Sequence, residues 1–339
     1  MSLLDVDQTA GRPAAHRTAA HRTAAHRTAA HRTAGIAGLG AAVPATVVPN
    51  ATVAERIGVE PEWIVRRTGI LSRRRLAAHE TLAELSLSAA HSALEQAGIS
   101  AGELDSVLVA TSTADYVMPH AAPLLAHQLG ASQAMAWDIG LACTGFLAGL
   151  ETGAALVESG RASAVLLVAA DAMSRVTNHD DRATASLFGD GAGAVVIVAG
   201  GAWRVGPSVM RADATDAAAL SVETDARLLS MDGHLVFQRA IIGMETACRQ
   251  VLDRAGLTID DIDLVVPHQA NARITATLSD RLGIDLARVA SNIATTGNTG
   301  AASIPLALAE FGVPEHGRML FTAFGAGFAS GATLLELES

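Results

Sequence analysis

Beyond residue 35 the chain alternates between short unbroken apolar runs and longer stretches with apolar residues every three or four positions. The unbroken runs predict strands at 36–43, 106–111, 134–139, 164–170, 192–199, 262–267, 318–323 and 332–337. The helical spacing predicts helices at 82–97, 146–159, 235–255, 272–282 and 301–311. Strands apolar on both faces need cover on both faces, so the alternation predicts an α/β layered fold.

The pattern also repeats. Ala97-Gly-Ile-Ser-Ala-Gly-Glu-Leu-Asp-Ser-Val-Leu-Val109 matches Ala255-Gly-Leu-Thr-Ile-Asp-Asp-Ile-Asp-Leu-Val-Val-Pro267, and each follows an amphipathic helix. A second pair, opening with Phe188-Gly and Phe324-Gly, comes in the same order. Two ordered correspondences predict a duplicated α/β unit, with halves at 35–205 and 206–339. Residues 16–34 instead repeat His-Arg-Thr-Ala with a period of five, which builds no continuous face on a helix or a strand. Residues 1–34 are therefore expected to be a disordered tail.

Composition narrows the chemistry. There is no lysine among the 24 basic residues, which excludes Schiff-base, P-loop-lysine and pyridoxal-lysine mechanisms. Residues 35–339 hold 19 arginines against 32 acidic residues, a balance of −13 that argues against nucleic acid as a partner. The densest basic cluster, Arg73-Arg74-Arg75, reads as a solvated loop, with a site for an anionic ligand as the sharper alternative. Two cysteines cannot form a disulfide framework. Cys248 shares a helix face with Met244 and Leu252 and is expected in the core. No segment is long and apolar enough to span a membrane, and a reduced, cytoplasmic protein is expected.

Cys143 is placed differently. It stands between the strand-like run 134–139 and the helical pattern that begins at Phe146. A thiol at a helix start lies beside unpaired N–H groups, which predicts a lowered pKa and a thiolate nucleophile. His268 in Val266-Pro-His-Gln-Ala-Asn271 and Asn298 in Gly297-Asn-Thr-Gly-Ala-Ala-Ser303 are candidate partners, brought together only by the fold. Taken singly, a buried Cys is more often core, and Asn298 before Thr-Gly reads as a turn residue. The glycine runs at Gly38 and Gly189 are poor dinucleotide fingerprints.

Taken together and in order, these segments resemble the β-ketoacyl-[acyl carrier protein] synthase III family of the thiolase-like superfamily. The matching segments are Glu62-Trp-Ile with Arg67-Thr-Gly-Ile70, Asp138 to Phe146, Phe188-Gly-Asp-Gly-Ala-Gly193, Val266 to Asn271, Gly297-Asn298-Thr, and Phe324-Gly-Ala-Gly-Phe328. The resemblance implies a thiolase-like five-layer αβαβα fold of two duplicated halves, and a homodimer. It implies condensation of an acyl-CoA primer with malonyl-acyl carrier protein through an acyl-cysteine, initiating fatty acid or polyketide synthesis. No metal or other cofactor is implied beyond the coenzyme A thioester substrate.

Roles carry over residue by residue. Cys143 would be acylated, and His268 and Asn298 would serve the malonyl thioester. The N–H groups of Cys143 and Ala326 would form the oxyanion hole. Trp63 and Arg182 would flank the adenine of coenzyme A, while Arg67, Phe237 and Asn271 would line the pantetheine channel. Met118 and Phe188 would wall the acyl pocket. Met118 stands where the family often has Phe, which would admit a larger or branched primer. His234 stands where Asn is common. Arg239, Arg273 and Arg281 would dock the acidic carrier protein, with Asp280 interrupting the patch. Two other readings are acyl transfer to a hydroxyl or amine and a non-catalytic partner subunit. The intact Cys, His and Asn argue against both.

Overall fold

The structure, a computed structural model, describes residues 32–225 and 227–337. Most of the expected tail (residues 1–31) lies outside the described residues; Ala34, assigned to that tail, opens the first strand.

The first half runs β1 (Ala34–Ala42), β2 (Val47–Pro49), α1 (Asn50–Ile57), α2 (Pro61–Thr68), β3 (Ser72–Arg74), α3 (Leu82–Ala97), β4 (Ser106–Ala110), α4 (Ala121–Leu129), β5 (Met135–Ile139), α5 (Gly145–Glu158), β6 (Ala164–Ala172) and β7 (Asp190–Ala199). The second runs β8 (Trp203–Ala212), β9 (Leu220–Val222), β10 (Leu229–Met231), α6 (Gly233–Ala255), β11 (Leu264–Pro267), α7 (Ala272–Leu282), α8 (Ile293–Thr296), α9 (Ser303–Phe311), β12 (Gly317–Gly325) and β13 (Ala329–Leu337).

Nine strands form one mixed sheet in the order β11-β12-β13-β8-β1-β7-β6-β4-β5. It is two sheets of one plan, joined where β1 meets β8 at Gly35–Arg204 and Ile36–Trp203. In each half the first strand pairs antiparallel with the last, β1 with β7 and β8 with β13. The last pairs antiparallel with the strand before it, β7 with β6 and β13 with β12. That strand runs parallel to the second, β6 to β4 and β12 to β11. β4 then takes β5 as a parallel neighbour, and a single parallel bridge from Val265 to Val289 fills that place in the second half.

The repeated segments fall on equivalent structure. α3 and α6 each end at a left-handed glycine, Gly98 and Gly256. Ser100 and Thr258 then form capping boxes with Glu103 and Asp261. Asp105 and Asp263 accept from Ser163 N–H and Arg318 N–H beside the neighbouring parallel strand.

Helices cover both sheets and fill the space between them. α3 and α4 pack on the outer face of the first sheet, through Ala89, Ala93, Leu125 and Val107. α6 and α7 pack on the outer face of the second, through Met244, Val251, Leu278 and Leu320. α5 touches β6 and β7 on one side and β12 and β13 on the other, and α9 lies in the same central layer. Phe146 of α5 meets Phe321 of β12 with ring centroids 6.2 Å apart. Each fully buried Leu or Phe here contributes about 1.5–3 kcal/mol. The result is the five-layer αβαβα arrangement, which brings the N-terminal ends of α5 and α9 to one region.

Two readings need adjustment. The divide expected at residue 205 falls inside β8. The Arg73–Arg75 cluster is not a solvated loop, because Arg73 is wholly buried and donates to Ser186 O at 2.9 Å and Val48 O at 3.3 Å. Cys248 lies in the core of α6 as expected.

Candidate active site

Cys143 lies in the turn between β5 and α5. The residue before it, Ala142, has φ of 44°, a left-handed conformation rare outside glycine that marks local strain. The turn packs tightly against the second half: a Cβ on Gly325 would come within 2.9 Å of Cys143 N, so glycine is required there. The backbone of the cysteine is thereby held beside Ala326, and both residues line the same cavity of about 900 Å³.

The expected thiolate is not the resting form. Burial pushes the Cys143 thiol up to about 12, and the neighbouring Asp171 carboxyl pushes the same way. The backbone N–H of Cys143 acts in the opposite direction but does not prevail. The helix-start argument names a real influence, and desolvation in the cavity outweighs it. At rest the sulfur carries its proton.

His268 follows β11, where its N–H donates to Thr322 O at 2.7 Å. Its side chain is buried, and burial lowers its pKa to about 4, so the ring is neutral near pH 7. Nδ1 lies 2.6 Å from Ser303 Oγ, at the first residue of α9.

Asn298 is set by backbone on both sides. Its N–H donates to Leu187 O at 2.9 Å, and its carbonyl accepts from Gly189 N–H at 3.0 Å. Its side-chain Oδ1 accepts from Gly300 N–H at 3.0 Å. A backbone N–H can only meet an acceptor, so the amide is oriented with Nδ2 as its free donor group. Asp171 braces the same turn. Its buried carboxyl accepts from Ala301 N–H and Ser112 N–H, both at 2.8 Å, and from Thr113 Oγ1 at 3.0 Å. Burial nevertheless raises it to about 6.

Cys143, His268 and Asn298 thus face one cavity, although they come from three separate segments. Trp63, Arg67, Arg182, Phe237 and Asn271 line it too. The Arg67 guanidinium lies 4.8 Å from the centre of the Trp63 ring. Arg182 is anchored to Ile57 O and Gly58 O at 3.0 and 3.1 Å. Asn271 caps α7 and donates to Arg67 O at 3.2 Å, joining two walls. His234 also reaches the cavity, as does the buried Phe188.

Met118 is placed otherwise. It is 80% exposed and does not line this cavity. It lies in a surface loop before α4, with Tyr116 and Val117 also exposed. The three arginines expected to dock a carrier protein also differ from one another. Arg239 pairs with Asp216 at 2.5 Å and Arg281 with Glu245 at 2.5 Å, while Arg273 has no ion pair among the described residues.

No motif in the sequence assigns a role to Asp171, Gly300 or Ser303. Asp171 could have been noticed as a charge at the end of an otherwise apolar strand. Ser303 and Gly300 sit inside the motif that named Asn298, but nothing local shows that they touch the site. Among the described residues no three His, Cys, Asp or Glu side chains converge to hold a metal ion. No helix among them is long and apolar enough to cross a membrane.

The fold and the cysteine-centred cavity define a thiolase-like acyltransferase. Residues 137–214 match the family 3-oxoacyl-[acyl-carrier-protein (ACP)] synthase III, and residues 252–337 match its C-terminal counterpart. The chain is 41% identical over 315 residues to β-ketoacyl-[acyl-carrier-protein] synthase III 3 of Streptomyces coelicolor, covering 86% of this chain and 94% of that one. The 3-oxoacyl-(acyl carrier protein) synthase III structure from Pseudomonas aeruginosa PAO1 superposes with a TM-score of 0.86 at 39% identity, covering 91% of this chain and 99% of that one. The priming β-ketosynthase of the R1128 polyketide pathway gives 0.86 at 38%, covering 91% and 97%. The chain belongs to the β-ketoacyl-[acyl-carrier-protein] synthase III family.

Proposed function

We propose that the protein condenses an acyl-CoA primer with malonyl-acyl carrier protein, in the first carbon–carbon bond-forming step of a fatty acid or polyketide chain. The observation that carries this is the meeting of Cys143, His268 and Asn298 on one cavity large enough for a pantetheine arm.

In the first half-reaction the Cys143 sulfur attacks the primer thioester. The developing oxyanion is met by the N–H groups of Cys143 and Ala326, and coenzyme A leaves as a thiol with the cysteine's proton. Because the resting sulfur is protonated, the proton must leave as attack proceeds. Trp63 and Arg182 hold the adenine end, while Arg67, Phe237 and Asn271 line the path of the arm.

In the second half-reaction malonyl-carrier protein enters the same channel. Loss of CO₂ leaves an enolate oxygen. The neutral His268 ring and the Asn298 Nδ2 donate to that oxygen, and each such donor is worth about 3–4 kcal/mol of barrier. The enolate carbon attacks the acyl-Cys143 carbonyl, and the sulfur departs and takes up a proton from solvent. A neutral imidazole suits this role because an N–H can stabilise charge without transferring its proton.

The protein is proposed to act as a homodimer in the cytoplasm. Exposed Met135 on the edge strand β5, and exposed Tyr116, Val117 and Met118 in the loop before α4, support the dimer, since exposed apolar residues and open sheet edges are often covered. The unpaired cysteines support a reducing compartment.

The test is intact-mass detection of the protein after incubation with a panel of acyl-CoA primers. The expected result is one added acyl group that maps to Cys143 and is discharged with CO₂ release by malonyl-carrier protein. A protein that gains no acyl group from any primer would overturn the proposal.

A further inference from the structure

We propose that Ser303 is a positioning residue that fixes the tautomer of His268, so that the ring presents Nε2–H, and not a bare nitrogen, to the cavity. The inference deepens the proposed condensation and rests on it for its kinetic consequence. The tautomer itself follows from hydrogen bonding alone.

Ser303 is 1% exposed. A buried hydroxyl is strongly favoured to place its proton on an acceptor. Several helical Ser and Thr side chains elsewhere in the protein place it on the carbonyl one turn back, as Ser86 does on Leu82 O at 2.8 Å and Thr152 on Ala148 O at 2.7 Å. Ser303 makes no such bond. Its only partner among the described residues is His268 Nδ1, at 2.6 Å.

Two assignments of that bond exist. If Nδ1–H donates to Oγ, the hydroxyl proton is left without an acceptor in a sealed environment, and Nε2 faces the cavity as a lone pair. If the hydroxyl donates to Nδ1, both groups are satisfied, and the ring's single proton lies on Nε2. Nε2 has no protein partner among the described residues, and His268 lines the cavity. The second assignment leaves no orphaned buried proton and leaves one donor aimed where an enolate oxygen would form.

The position of Ser303 gives the device its economy. It is the first residue of α9, three residues beyond Gly300, whose N–H holds Asn298 Oδ1. One turn of backbone therefore orients both donors. Ala301 N–H, in the same turn, is tied to Asp171 at 2.8 Å, which keeps the turn in place.

The experiment uses the full chain, labelled with ¹⁵N-histidine, with the His268 signals assigned by comparison with His268→Gln. Long-range ¹H–¹⁵N correlations are expected to show the His268 ring protonated on Nε2 and bare at Nδ1. A ring protonated on Nδ1 would overturn the proposal, whatever the enzyme's activity. Ser303→Ala should leave acylation of Cys143 unchanged and slow CO₂ release from malonyl-carrier protein by up to about 10²–10³-fold, the range for losing one such donor. Ser303→Thr keeps the hydroxyl and should recover most of that loss. Equal losses in both half-reactions, or no loss in CO₂ release, would refute the positioning role. If wild-type protein releases no CO₂, the proposed condensation fails while the ring signals still decide the tautomer.

Discussion

Asn298 and Phe188 meet as a parallel β-bridge although they belong to opposite halves of the molecule. The two loops approach so closely because glycine stands at each crossing. Gly297 has φ of 69° and ψ of −164°, a region open essentially to glycine alone, and a Cβ there would lie 2.8 Å from Leu187 O. The donor Asn298 and the buried cavity wall Phe188 are therefore placed by one contact.

Gly297→Ala is expected to lower stability by about 1–3 kcal/mol, the usual cost of a side chain in such a conformation. Because Asn298 is the next residue, CO₂ release should fall more than acylation does. Chemical denaturation together with assays of the two half-reactions checks this. A variant as stable and as active as the parent would contradict the strained geometry.

The half-buried thiol makes a prediction about pH. With Cys143 raised to about 12, its ionised fraction grows about tenfold per pH unit from pH 7 to 10. Asp171, at about 6, is already ionised across that range and adds no inflection. Iodoacetamide alkylation of the free enzyme should rise without a plateau, with Cys143→Ala as the blank. A plateau beginning near pH 7 would mean a resident thiolate.

His268 links the site to acid stability. Its folded pKa, about 4, lies below the ordinary value of 6.5, so the unfolded chain binds more protons between these limits. Stability from this group is present above pH 6.5 and is lost as pH falls toward 4, to a full extent of about 3 kcal/mol. Asp171 has the opposite sign, since its folded pKa is raised, and it loses favour as pH rises from 3.8 to about 6. Comparison of wild type with His268→Gln by urea denaturation isolates the histidine. The variant should lose less stability on acidification.

Arg273 is the one cation of the proposed docking patch without an ion pair among the described residues, its guanidinium lying 5.7 Å from the centre of the Phe237 ring at the cavity. Arg273→Glu should raise KM for malonyl-carrier protein by roughly tenfold, with primer acylation unchanged and a weaker salt dependence. Arg281→Glu should act more on stability, because Glu245 would then face a like charge.

Legibility in the sequence followed the physics of each element. The buried strands and the long amphipathic helices α3, α6 and α7 announce themselves through apolar runs and helical spacing, and their repeat exposes the duplication. β8 was hidden by Gly206-Pro207. Those residues sit at a bulge against β13, between the pairs Thr333–Ser208 and Leu335–Val205, where a proline is tolerated. α2 and α4 were hidden by Pro61 and Pro123, which lie in first turns that need no proline N–H. The proposed reacting groups were legible because they sit in motifs. Ser303, Gly300 and Asp171 were not, because each acts through another residue that only the fold brings near. The protonation of Cys143 was misread for a related reason: a helix start is visible in sequence, whereas the depth of a cavity is not.

The division of labour between the sulfur and the two donors is tested most directly by Asn298→Ala, assayed for acyl-enzyme formation from labelled acyl-CoA and for CO₂ release from malonyl-carrier protein. The expected outcome is wild-type labelling of Cys143 with CO₂ release reduced about 10²–10³-fold. Equal losses in the two half-reactions, or labelling at a residue other than Cys143, would contradict the account.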